Sequence, residues 1–157
     1  MKCAWMPIAG FWGVVFWGAM ILQAQEVQEV HLELRYGIPA DLVEYPQGDP
    51  KETIRSVIKA TRTGDIPYML AQLISPAQVD QKFHGDPKAL LRLATKTTPK
   101  TSEKMITALE DRLERGAWII RRDLAWSDVE NQPVLSLERI GRRWFMHNTP
   151  VQLPDTP

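Results

Sequence analysis

The apolar residues change rhythm at Gly116, from a helical repeat of about 3.6 residues upstream to the two-residue repeat of a strand downstream. That switch confines the chain to helices first and an antiparallel sheet afterwards, because a meander with one apolar side needs a layer over it. The fold class expected is α+β, with N-terminal helices packed on a curved antiparallel C-terminal sheet of three to four strands.

Upstream, Asp49-Pro50-Lys51-Glu52 supplies an N-cap, a proline at the first helical position and an acid three residues after the cap. Ile54, Val57, Ile58 and Thr61 then form a buried stripe, and Gly64 accepts the left-handed stop. Asp65 caps a second helix that holds Ile66, Met69, Leu70, Leu73 and Ile74 on one face. Ser75-Pro76 leads a short turn through Val79 and Phe83. Asp86-Pro87 opens a third helix carrying Ala89, Leu90, Leu91, Leu93 and Ala94. Pro99 interrupts, Thr101 or Ser102 caps a fourth helix lined by Met105, Ile106, Leu109 and Leu113, and Asp111 and Arg115 pair on its outer side.

Downstream, Trp118, Ile120, Arg122, Leu124 and Trp126 alternate with Ile119, Arg121, Asp123 and Ala125, which predicts one strand with the first set on one face. Residues 127–132 form a polar turn. Pro133 opens a strand with Leu135 and Leu137 opposite Ser136 and Glu138, and Gly141-Arg142 reverses the chain into Trp144-Phe145-Met146-His147.

No charge occurs from Ala4 to Leu22, and Lys2 is the positive flank, so residues 1–24 are expected to be a signal peptide cleaved between Ala24 and Gln25. A retained membrane anchor through residues 4–22 and a buried core helix are the alternatives. Cys3, the one cysteine, precedes the apolar run, which speaks against a lipoprotein, and it would leave with the signal. Residues 25–46 are expected to form an arm, where Leu32, Leu34 and Tyr36 alternate with Glu33 and Arg35 before Gly37-Ile38-Pro39. Residues 47–148 form the α+β domain, and 149–157 a flexible tail. The expected location is periplasmic or secreted.

The 19 basic and 19 acidic residues cancel. Arg121, Arg139, Arg142 and Arg143 are interleaved with Asp123, Asp128, Glu130 and Glu138, which argues against a nucleic-acid surface. His31, His84 and His147 lack metal-ligand spacing, and the glycines are isolated at caps and turns, so no metal, cofactor or catalytic residue is assigned. His84 and Asp86 read as loop and N-cap, His147 has no carboxylate in register, and Tyr68 is a core-edge residue with its hydroxyl at the surface. Arg122 stands out as a charge on an apolar strand face. It either reaches the rim, pairs with Glu110 or Glu114, or lies between Trp118 and Trp126 as a pocket for an anionic apolar ligand.

Asp49-Pro50-Lys51-Glu52-Thr53-Ile54, Lys59-Ala60-Thr61-Arg62-Thr63-Gly64-Asp65 and the closing Leu137-Glu138-Arg139-Ile140-Gly141-Arg142-Arg143-Trp144-Phe145 resemble the opening helix pair and last hairpin of the cone-shaped nuclear-transport-factor-2-like superfamily. The tract 45–148 also resembles a family of uncharacterised exported bacterial proteins with a D-x-x-Y-x-L-A-x-L segment, matched by Asp65, Tyr68, Leu70, Ala71 and Leu73. The resemblance implies a concave sheet closed by helices, a scaffold shared by isomerases, dehydratases, ligand binders and assembly modules, so it does not select a function. This chain departs from it in lacking evident strands between the helices.

Three classes follow: an exported non-catalytic domain that binds a protein or envelope component, a binder of a small anionic ligand, and an isomerase- or dehydratase-like enzyme. The first is preferred, because the conspicuous residues have structural roles. An enzyme requires an acid–base pair that the sequence does not display.

Overall fold

The computed structural model describes residues 32–129 and 133–147. The apolar segment 4–22, the expected cleavage site, the first residues of the arm and the tail lie outside them. Among the described residues no helix is long and apolar enough to cross a membrane.

The molecule is α+β, with the helices preceding the sheet. The arm folds into a ribbon of β1 (Leu34–Arg35) and β2 (Ile38–Pro39), turned at Tyr36 and Gly37. Helix α1 (Pro50–Thr63) starts where the Asp49 carboxylate accepts the amides of Lys51 and Glu52, at 2.7 and 3.0 Å. It stops at Gly64, whose φ of 77° costs a residue without Cβ little. Ile54, Val57, Ile58 and Thr61 are its buried stripe.

The second helix differs from its sequence reading. Helix α2 (Ile66–Tyr68) is capped by Asp65 but widens at once into a π-helical turn, Met69–Leu73. Met69, Ala71, Gln72 and Leu73 are all buried, so the segment is enclosed on several sides rather than amphipathic. The arm packs against it, with Gln72 Nε2 donating to Ile38 O at 2.6 Å, and α1 and the last strand pack beside it. Helix α3 (Pro76–Phe83) and α4 (Pro87–Ala94) follow, the latter capped by Asp86, with the exposed His84 ending α3 in the left-handed region. Helix α5 (Pro99–Arg115) begins earlier than expected: Pro99 opens it instead of interrupting, as proline does at a first turn. The Arg115–Asp111 pair is present.

Strands β3 (Ala117–Arg121), β4 (Leu124–Asp128), β5 (Leu135–Ile140) and β6 (Arg143–Met146) form an antiparallel meander in that spatial order. The strand expected from Trp118 to Trp126 is thus a hairpin, and β4 continues through Ser127 and Asp128, the first two residues of the expected polar turn. Arg121 pairs with Leu124 across the two-residue turn Arg122-Asp123, and Arg122 takes a φ of 52°. Ala125, Leu137, Trp144 and Met146 face the helices and join Ile54, Val57, Leu73, Leu90 and Leu109 in one core. Trp126 and Phe145 are buried on the opposite face.

Candidate interaction surface

The expected Trp118–Arg122–Trp126 pocket does not assemble. A two-residue turn inverts parity between its strands, so even-numbered residues of β3 share a face with odd-numbered residues of β4. Trp118 pairs with Ser127, whereas Trp126 pairs with Ile119, which puts the two indoles on opposite faces. Trp118 Nε1 donates to Arg112 O at 3.1 Å. Arg122 is exposed in the turn, and Glu110, one of its expected partners, binds Arg62 instead. The guanidinium near Trp126 is that of Arg121, 5.9 Å from the ring centroid.

Arg35, Arg112 and Arg143 are buried among the described residues, and Arg143, 8% exposed, lies on β6. Its Nε and Nη2 donate to Gln47 Oε1 at 3.1 and 2.7 Å, Nη2 to Gln72 Oε1 at 2.9 Å, and Nη1 to Leu32 O at 2.8 Å. Its hydrogen-bond partners among the described residues are all neutral oxygens, and burial pushes the guanidinium below the usual arginine range. Arm, pre-helix loop, π turn and last strand thereby meet on one planar fork of donors. The sequence gives no local sign of this, since the partners lie far apart along the chain.

A second polar group contradicts the reading of His147 as lacking a carboxylate. Its Nε2 lies 3.6 Å from Glu138 Oε2, while Ser75 Oγ donates to Glu138 Oε1. At that separation the contact is longer than a hydrogen bond, and it becomes an ion pair only with a protonated imidazole. The hairpin at Gly141-Arg142 held the signal: it pairs Ile140 with Arg143, which places Glu138 and His147 diagonally on one face. His147 together with Ser75 holds the Glu138 carboxyl below its ordinary range, against an opposing effect of partial burial. A depressed carboxylate stabilises the fold above its unfolded pKa, and that contribution disappears as pH falls through the folded value. Glu138→Gln is therefore expected to lower stability by about 1 kcal/mol near neutral pH and to flatten the acid limb of stability below the usual glutamate range, measured by urea denaturation across pH. An acid limb equal to that of the unmodified chain contradicts the assignment.

Tyr68 also departs from its reading. Its hydroxyl is enclosed, accepting from Asp41 N at 2.9 Å, the ring stacks on Tyr45, and burial raises the phenol pKa. A groove of about 430 Å³ runs between Leu32, Pro39, Leu42, Ile140, Arg142 and Arg143.

The two edges of the sheet are finished differently. Along β6, Trp144 N donates to Gln47 O at 3.0 Å, Gln47 Nε2 donates to Trp144 O at 2.7 Å, and Ser75 N donates to Met146 O at 2.8 Å. That edge is sealed. Strand β3 at the other edge exposes Ile119 (44%) and Ile120 (56%), with Leu124 of β4 (38%) beside them. His147 N donating to Ser136 O and Arg139 N donating to Asp123 O fix which residues face which strand, and the alternation leaves the N–H and C=O of Trp118 and Ile120 pointing outward from β3. This edge carries no lysine, proline or bulge of the kind that blocks strand addition.

The class defined by these features is an α+β domain with, among the described residues, one sealed and one open sheet edge. No family model matches the chain, and neither a curated protein nor a solved structure does.

Proposed function

We propose that this chain is an exported, non-catalytic domain that binds a protein through the open edge of its sheet. The contrast between the sealed β6 and the open β3 carries the reading: an edge with outward backbone groups and exposed isoleucines takes up an extended partner strand by main-chain hydrogen bonds. The export part rests on the uncharged segment 4–22 alone. Kinship with the nuclear-transport-factor-2-like superfamily belongs to the same proposal, supported by the order of helices and meander. The groove beside the arm, lined by Arg142 and Arg143 together with Glu33, is where a small anionic ligand would sit as a second reading. Arg143 in its wall directs its hydrogen bonds to Leu32, Gln47 and Gln72, which leaves the edge as the stronger feature.

A photoreactive phenylalanine analogue at position 119 of the full chain, irradiated in the expressing cell, is expected to give a protein adduct. The same probe at Lys88, exposed on α4, is expected to give none. Ile120→Pro should remove the adduct while leaving the domain folded, because proline is tolerated where an edge N–H faces solvent. Equal adducts at both positions, or none at 119, contradict the proposal.

A further inference from the structure

We infer that the partner strand on β3 is β3 of a second copy of this chain, paired antiparallel about a two-fold axis at Ile119; this rests on the edge-binding reading above. The register follows from the outward groups. With Ile119 opposite Ile119 of the second copy, Trp118 faces Ile120 of the other strand and each outward N–H and C=O gains a partner, giving four main-chain bonds. On the face with Ile119, the same operation sets Arg121 of one copy opposite Ala117 of the other, and Ala117 is itself paired with Asp128. Both Arg121 and Asp128 are exposed. Leaving the Trp126 ring of its own chain, 5.9 Å away, the long guanidinium side chain crosses the small alanine toward the acid, twice by symmetry, so charge and side-chain size both favour this register. On the other face, Trp118 meets Ile120 of the second copy, adding apolar contact to the backbone bonds. A contact made by two five-residue strands falls below the roughly 1,200 Å² of a standard interface, so the dimer is reversible and concentration-dependent.

The test uses the full chain with Cys3→Ser, which removes the sole native cysteine. Residues on the axis form a non-hydrogen-bonded pair with Cα atoms about 4.5 Å apart, within disulfide range. Two copies of position 120 are diagonal neighbours about 7–8 Å apart, outside it. Mild oxidation of Ile119→Cys is expected to yield a reducible dimer in roughly tenfold excess over Ile120→Cys. Arg121→Asp should reduce that yield, and adding Asp128→Arg should restore it. A yield from Ile119→Cys no greater than from Ile120→Cys overturns the inference. If position 119 then still gives a photo-adduct with a different protein, and Ile120→Pro abolishes it, only the second copy is excluded. If it gives no adduct, the edge-binding reading falls as well.

Discussion

Replacing Arg143 by methionine is expected to lower folding stability by about 3–5 kcal/mol in a denaturant titration. The guanidinium is the shared donor for Gln47 Oε1, Gln72 Oε1 and Leu32 O, and a methionine of similar length leaves these buried acceptors without a partner for Gln47 and Gln72 side chains that are themselves enclosed. Removing a buried charge that is bonded to no carboxylate among the described residues offsets part of the loss, which is why the figure is not larger. Against a total stability of about 5–15 kcal/mol for a small domain, the remainder leaves the fold marginal. Arg143→Lys should recover less than half, because an ammonium cannot present the planar fork that spans both glutamines. Combining Arg143→Met with Gln47→Leu should cost less than the sum of the two singles, since both remove the same contact. A loss below about 1 kcal/mol for Arg143→Met would show that the four segments hold together without it.

Gly116→Ala is expected to lose about 2–4 kcal/mol, although it adds only one methyl group. A Cβ at this position would lie 2.2 Å from Ser127 Oγ and 2.4 Å from Arg112 O. The hydroxyl can rotate away. The carbonyl cannot, because it belongs to the last turn of α5 and already accepts from Gly116 N at 3.0 Å and from Trp118 Nε1 at 3.1 Å. Relief therefore requires α5 and β3 to separate, which disturbs the junction on which the helix layer meets the sheet. Ser127→Ala in the Gly116→Ala background should recover less than half of the loss, as measured by thermal or urea denaturation. Full recovery would place the clash on the serine alone.

The residues that were legible in the sequence act locally. Asp49, Gly64, Asp65 and Asp86 cap helices through neighbours a few residues away, and the change of rhythm at Gly116 separates the layers where the structure does. The β3–β4 turn was not legible because Arg122-Asp123 carries no glycine or asparagine, and the apolar alternation runs through it unbroken. That one missed turn inverted the parity of β4 and brought Trp126 onto a face it does not occupy. The Arg143 group was hidden for a different reason: it joins Leu32, Gln47 and Gln72, and no spacing rule links residues so distant. The open edge at β3 was also out of reach, since edge and centre are distinguished only by the order of strands and by what seals β6.

The most direct test is amide hydrogen exchange along β3, followed residue by residue at increasing protein concentration. In dilute solution Ile119 and Arg121, whose amides face β4, should be protected, while Trp118 and Ile120 exchange freely. At high concentration Trp118 and Ile120 should become protected too, as a second strand takes up the edge. Slow exchange at Trp118 and Ile120 at every concentration would mean that the edge is already closed within the chain, and the account of this domain as a strand-binding module would be wrong.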